Sequence, residues 1–278
     1  MEAGAIDTPA GLGDRYQDAV DHGNLAAQSY NRFDSALADT GLALFSGSDD
    51  LRNQDFATDN YTQLSDSAKP DIPGLHDGLD YQIHEHNETG DQVVAFRGTE
   101  PLSPVDWANN VSQLAGNSSQ YEGAVELAQH LDAELGDDTN LSFTGHSLGG
   151  GLATAAGLAT GNDAYAYNAA GLSDPTIDNL GLRDALDGAN DHIYNFNVEN
   201  DIVSDWNNQQ DASTILSDVG PIGETNQYGQ QFWLESVSED LNFGGNLIPD
   251  WMTPDLVGSV ADHSWHAYAH QLEQGNFA

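Results

Sequence analysis

Apolar residues recur along this chain in two rhythms. Over residues 25–45 they fall at helical spacing (Ala27, Tyr30, Phe33, Leu37, Leu44), which predicts one or two helices. The first 24 residues are Gly- and Asp-rich and show no clear period, and residues 46–80 are polar, turn-rich and broken by Pro70 and Pro73. Two alternating runs then flank the turn 87–91 and predict a hairpin, with Gly90 suited to a positive-φ position. Tyr121, Val125, Leu127, Ala128 and Leu131 form a stripe that predicts a helix over 119–135. Residues 140–144 read as a short buried strand and 148–160 as a helix of small residues. Further strands are expected over 164–169 and 192–198, with 231–237 a candidate in an otherwise irregular stretch from 204 to 254. A last helix is expected from near Ser264.

Strands alternating with helices through the middle predict an α/β fold, a mainly parallel sheet covered on both faces. No repeat or linker divides the chain. We therefore expect a single domain over 1–278, with a core of about 80–272 and an N-terminal helical extension over about 20–75.

One strand-to-helix junction carries chemistry. Gly145-His-Ser-Leu-Gly149 follows the apolar strand and opens the small-residue helix, so the pattern G-x-S-x-G stands in the context it requires. Ser147 must sit on a sharp, strained turn, and side chains at 145 or 149 would meet the crossing backbone. The Leu148 N–H, at the start of the helix, is the natural first donor to a developing oxyanion. A serine hydroxyl needs a base oriented by an acid, and in this arrangement the order is Ser, acid, His. Beyond the elbow lie His192, His263, His266 and His270. His192 opens a strand and precedes the best acid, so the last three are the candidates for the base. Asp201 lies just past the strand 193–198, at the sheet end where such folds place active residues, with Glu199, Asp205 and Asp211 as rivals.

Charge changes the picture of the surroundings more than of the chemistry. Asp and Glu total 45 against six Lys and Arg, for a formal net charge of −39, and Lys69 is the sole lysine. The acids are scattered between apolar segments, which argues against an acidic tail. Neither an EF-hand loop nor a glycine-aspartate repeat is present. Self-repulsion on this scale destabilises a compact state in dilute buffer, whereas at molar salt the screening length shrinks to about 3 Å. We expect a protein adapted to high salt, whether secreted or cytoplasmic. The absence of a basic stripe excludes nucleic acid as a partner. No apolar run is long enough for a transmembrane segment, and residues 1–15 show no basic-then-apolar leader. There is no cysteine, so no disulfide or thiolate metal site is possible. His84 and His86 share a strand face but lack a third ligand, so no metal and no cofactor is expected. Nothing in the sequence sets an oligomeric state.

Three motifs taken together carry a family resemblance. Val94-Ala-Phe-Arg-Gly-Thr-Glu100, Asp106-Trp-x-x-Asn110 and Thr144-Gly-His-Ser-Leu-Gly-Gly150 resemble the class 3 lipases, the fungal-type α/β-hydrolases. Asn200-Asp-x-Val203 and Asp262-His-Ser264 with Tyr268 resemble the later acid and histidine blocks of bacterial members. The resemblance implies an α/β-hydrolase fold, with Asp201 as the acid, His263 as the base and Thr99 as the second oxyanion donor. It also implies a lipid or small ester as substrate, cleaved by a lipase or esterase. A phospholipase A1-type enzyme is the neighbouring reading, and a fold-retaining binding module without catalysis is the rival class. The segment 100–106, where the family carries its lid, is short and proline-bearing, which disfavours strong interfacial activation. Arg97 is read as a structural ion pair fixing the loop of Thr99 rather than a substrate contact. Trp107 and His146 are read as packing residues.

Overall fold

A computed structural model describes residues 9, 11–30, 58–70, 72, 75, 79–98, 118–136, 139–201, 203–204, 225–236 and 265–278. Its centre is a seven-stranded sheet. The strands are β1 (Tyr61–Gln63), β2 (Tyr81–His86), β3 (Gln92–Phe96), β4 (Leu141–His146), β5 (Ala164–Tyr167), β7 (Ile193–Val198) and β9 (Gln230–Leu234), in the order β1-β2-β3-β4-β5-β7-β9. From β3 to β9 all neighbours are parallel, while β1 and β2 pair antiparallel at one edge. A separate pair, β6 (Leu172–Ser173) with β8 (Thr225–Asn226), is antiparallel. This is the α/β-hydrolase fold that the alternation of elements and the serine elbow predict.

Helix α2 (Ser118–Leu135) connects β3 to β4, and α3 (Leu148–Thr160) connects β4 to β5. Both lie on one face of the sheet, in a mostly aliphatic core that includes Val94, Leu127, Leu152 and Ile193 together with the aromatic rings of Phe96, Tyr121 and Phe143. Helix α1 (Tyr16–Gln28) and helix α5 (Trp265–Gln274) cover the other face. There an aromatic core holds Tyr165, Tyr167, Tyr194, Phe196, Phe232 and Tyr268. Between β6 and β7, helix α4 (Asp174–Leu180) starts at a Ser173 cap whose hydroxyl accepts from the Thr176 N–H, and ends at Gly181 in the left-handed region.

The hairpin β2–β3, the helices at 118–135 and 148–160, the strands at 141–146 and 193–198 and the final helix all stand where periodicity puts them. The elements at 172–180, 183–191 and 225–226 stand where the sequence pattern predicts none, and the part of the helical stripe at Phe33, Leu37 and Leu44 lies outside the described residues. Helix α1 and strand β1 differ as well. Helix α1 begins at Tyr16, inside the stretch that shows no apolar period. The reason is its buried face, which carries His22, Gly23 and Asn24 beside Ala19 and Leu25, so hydropathy is blind to it. His22 Nδ1 bonds the Asp18 carbonyl at 2.7 Å, its Nε2 bonds the Ser142 hydroxyl at 2.8 Å, and its ring lies 4.2 Å from that of Tyr165. Strand β1 lies in the segment read as turns. Three residues at a half-exposed sheet edge are too few to show a period of two.

Each of the four cationic side chains among the described residues meets an aspartate. Arg15 pairs with Asp163, Arg97 with Asp80 at 3.0 Å, and Arg183 with Asp174 and Asp178. Lys69 pairs with Asp66 at 3.3 Å and lies 4.5 Å above the Tyr81 ring. No helix among the described residues is long and apolar enough to cross a membrane.

Candidate active site

The site is built at the carboxyl ends of the parallel strands. Ser147 stands between β4 and α3 with φ 58° and ψ −124°, a backbone conformation that costs a non-glycine residue of order 1–3 kcal/mol and persists only when its surroundings hold it. Several hydrogen bonds do so. The Ser147 N–H donates to Tyr167 O at 3.0 Å, and its carbonyl accepts from Gly150 N at 3.0 Å and Ala170 N at 2.9 Å. The hydroxyl is buried, and among the described residues no group bonds to it.

Close approach explains the glycines. A Cβ on Gly145 would strike the backbone of Gly149, and one on Gly149 would strike the Phe96 carbonyl and come within 3.0 Å of Gly98 N. A Cβ on Gly98 would in turn meet the Tyr30 hydroxyl and His146 O. The exit of β3 therefore crosses directly over the first turn of α3. The Leu148 N–H opens that turn, where no preceding helical turn offers it an acceptor.

Aromatic side chains lock the elbow from behind. Tyr30 donates to His146 O at 3.2 Å and accepts from Gly98 N at 2.9 Å, bridging the elbow and the β3 exit. The buried His146 ring stacks on Tyr268 of α5 at 5.4 Å, and Tyr268 stacks on Tyr167 at 4.7 Å. Tyr30 was visible in sequence only as one member of a helical stripe. Its partner Gly98 lies 68 residues away, so no local signal could reveal the bridge.

Asp201 follows β7 in a turn whose Asn200 has φ 64°. It is completely buried, and its Oδ1 accepts from Val203 N at 2.8 Å and Ser204 N at 3.3 Å. Burial drives its proton affinity well above the ordinary carboxylate range, while these donors pull the other way. His146 is level with Tyr167 and Tyr167 with Phe196, so the Ser147 and Asp201 turns leave the same sheet end two strands apart. That spacing is about 10 Å between strand axes. The rival Glu199 is exposed to solvent.

His263 and Thr99 lie outside the described residues, as do Trp107, Asp205, Asp211 and the segment 100–106. His266 and His270 are on α5. Arg97 makes an ion pair with Asp80 and lies 5.8 Å from the Tyr30 ring, while the Thr99 loop that it is expected to fix lies outside the described residues. His84 bonds Gln82, and His86 Nδ1 accepts from Thr89 N in the hairpin turn. Among the described residues no three groups are placed to hold a metal ion.

Residues 68–227, more than half of the chain, match the model of the Tle-like phospholipase domain. The chain belongs to that family. The matched stretch includes the β2–β3 hairpin, the elbow and the Asp201 turn of this Tle-like domain. An extracellular phospholipase A1 of Serratia liquefaciens is 37% identical over 168 residues, covering 57% of this chain and 50% of that protein. The chain thus spans about half the length of the curated relative it matches. Among solved structures, the Lip2 lipase of Yarrowia lipolytica aligns over 92% of this chain and 94% of its own, with 13% identity and a TM-score of 0.49. A lipase of Rhizopus microsporus var. chinensis aligns over 81% and 76%, with 16% identity and a TM-score of 0.41.

Proposed function

We propose that the protein is a serine carboxylic-ester hydrolase of lipid acyl esters, with glycerophospholipids ahead of triacylglycerols as substrates. The observation that carries this reading is Ser147, held in a strained elbow with a buried hydroxyl, inside a stretch that matches a phospholipase family. The named activity of the Serratia relative moves the phospholipase reading in front of the triacylglycerol lipase or esterase that the motifs alone suggest.

In the proposed mechanism Ser147 Oγ attacks the ester carbonyl while His263 accepts its proton. Asp201 orients the imidazole and stabilises the imidazolium. The N–H groups of Leu148 and Thr99 receive the tetrahedral oxyanion. Collapse expels the alcohol, a lysophospholipid protonated by His263, and leaves an acyl-enzyme. Water, deprotonated by His263, then releases the fatty acid. Two contacts support the residues outside the described set. Tyr268, five residues beyond His263, stacks on the residue before Ser147. Gly98, one residue before Thr99, packs on the elbow.

The acidic surface is read as an adaptation to high salt, in which most carboxylates have no cation within the chain to meet. Hydrolysis of phosphatidylcholine micelles and of tributyrin by wild type and Ser147→Ala, from low to molar salt, tests both statements. Wild type is expected to release fatty acid from the phospholipid in a salt-dependent manner, and Ser147→Ala to release none. Tributyrin cleaved while phosphatidylcholine is spared would restore the lipase reading. A folded wild type that neither cleaves an ester nor reacts with a fluorophosphonate would make it a binding module.

A further inference from the structure

The strand between the nucleophile and the acid ends in a turn that the mechanism above does not use. We propose that Asn168 is a positioning residue, its side chain setting the strand that leads to Asp201 while its backbone turn returns the chain to Ser147. The inference rests on the reading of Asp201 as the acid.

Strand β5 lies between β4, which leads to Ser147, and β7, which leads to Asp201. It stops at Tyr167, and the completely buried Asn168 then takes φ 43°, in the left-handed region that asparagine tolerates better than most side chains. On the acid side its N–H donates to Phe196 O at 2.9 Å, which continues the parallel ladder by one step. The next rung of a regular ladder would join the Val198 N–H to the carbonyl of residue 168. Here the Val198 N–H donates to Asn168 Oδ1 at 2.8 Å, so the side chain supplies the acceptor. A backbone N–H can only donate, which fixes the amide oxygen toward Val198. Val198 O in turn accepts from Asp201 N at 3.2 Å and closes the turn in which the acid sits.

On the other side the same bend sends the backbone toward β4. Tyr167 O accepts from Ser147 N at 3.0 Å, and Ala170 N donates to Ser147 O at 2.9 Å. Residues 167–170 thus bracket both backbone polar groups of the nucleophile. A strand running straight past 167 would keep the rung to Val198 but could not return residue 170 to Ser147. A left-handed turn with an apolar side chain would make the return but take the acceptor from a buried N–H. Asparagine does both. Its oxygen acts on catalysis through the end of β7, where a shift on the order of 1 Å in the acid turn costs about a hundredfold in rate.

The experiment is a double-mutant cycle: kcat and KM for p-nitrophenyl butyrate at molar salt in wild type, Asn168→Gly, Asp201→Asn and the double variant, with folding checked by circular dichroism. Glycine adopts the left-handed turn without strain, so this variant removes the side-chain oxygen and keeps the return to Ser147. Asn168→Gly is expected to lower kcat by about ten- to hundredfold with KM nearly unchanged. Asp201→Asn is expected to lower kcat further, and adding Asn168→Gly to it to cost little more, since residues that act as a unit do not add. A folded Asn168→Gly with wild-type kcat would overturn the proposal while a crippled Asp201→Asn left the triad standing. So would an equal loss from Asn168→Gly with and without the Asp201 carboxylate, the mark of a side chain that serves the scaffold alone. Wild-type rates in Asp201→Asn would overturn the reading of the acid, and this proposal with it. If Asn168→Gly does not fold, Asn168→Ser, whose hydroxyl ends one bond short of the amide oxygen, takes its place with the same expectations. Failure of both to fold would assign Asn168 to the scaffold and overturn its positioning role.

Discussion

The two faces of the central sheet solve the same burial problem with different mixtures of side chains. Under α2 and α3 most of the packing is aliphatic and small, with Tyr121 and a stacked Phe96–Phe143 pair set into it. Helix α3 is buried from Leu148 to Leu158, and three of its first four residues are glycines. In an isolated helix each glycine would cost about 1 kcal/mol relative to alanine. Here they let the helix lie against backbone, and a Cβ on Gly150 would come within 2.6 Å of the Ala169 Cβ. Under α1 and α5 the packing is aromatic. Tyr165 stacks on Tyr194, Tyr167 on Phe196 and Phe196 on Phe232, from one strand to the next, while the Tyr268 hydroxyl bonds the Gly23 carbonyl of α1. The lesson is a division of labour. The small face brings the backbone of the elbow into place, and the aromatic face clamps it from behind through His146.

The sharpest way to break the comparison is to place bulk on the small face. Gly149→Val drives a branched side chain into the Phe96 carbonyl, which cannot move without unpairing β3. We expect hydrolysis to fall below detection and the melting temperature to drop steeply, read by ester assay and calorimetry. A variant with wild-type melting and rate would show that the close approach is not required.

Removing bulk from the aromatic face should cost less and act at a distance. Tyr268→Ala takes away the stacking partners of both His146 and Tyr167, for an expected loss of about 3–5 kcal/mol by urea unfolding. Tyr268→Phe keeps the rings and loses only the bond to Gly23 O, about 1 kcal/mol. An equal loss in the two variants would place the contribution in the hydroxyl rather than in the stack.

The most diagnostic effect, smaller than the loss of the Tyr268 ring, concerns pH. Burial lowers the His22 pKa to about 4 and that of His84 to about 4, from an ordinary value near 6.5. The unfolded chain therefore binds more protons than the folded one between these values. The stability from each histidine is complete above about pH 6.5 and is lost as pH falls toward 4, by up to about 3 kcal/mol for the fully buried His22. Asp201 acts in the opposite sense, since burial raises its proton affinity in the folded state. The comparison must therefore be a difference. His22→Gln should show a flatter fall in unfolding free energy than wild type between pH 6.5 and 4.5. Parallel curves would remove His22 as the source.

Much of the small face was legible in the sequence, and little of the aromatic one. Gly145, Ser147 and Gly149 announce a strand, a strained turn and a helix because one local geometry demands all three. The turn that carries Asp201 could be placed at the sheet end because the strand before it reads clearly. Helix α1 was missed at its start because His22 and Asn24 are polar by type and buried in fact, each hydrogen-bonded to a residue more than a hundred positions away. The hydrogen bonds that join Ser204, Asn197 and Gln227 beneath the Asp201 turn were invisible for the same reason. Nothing in a lone asparagine or glutamine says that its amide faces inward, and the irregular stretch around residue 227 gave no element on which to place it.

The sole lysine has a practical consequence. Lys69 rests on Tyr81, and Tyr81 pairs with Phe96 at the end of the sheet from which the elbow rises. Amine-directed coupling has no other side chain to choose from. A protein grafted to a support through that amine would hang with the elbow end of its sheet turned toward the matrix, and a dye attached there would report from that same end. Random orientation, the usual outcome of such coupling, is not available to this molecule through its side chains; reversing the direction of tethering calls for a lysine placed at the opposite end of the strands.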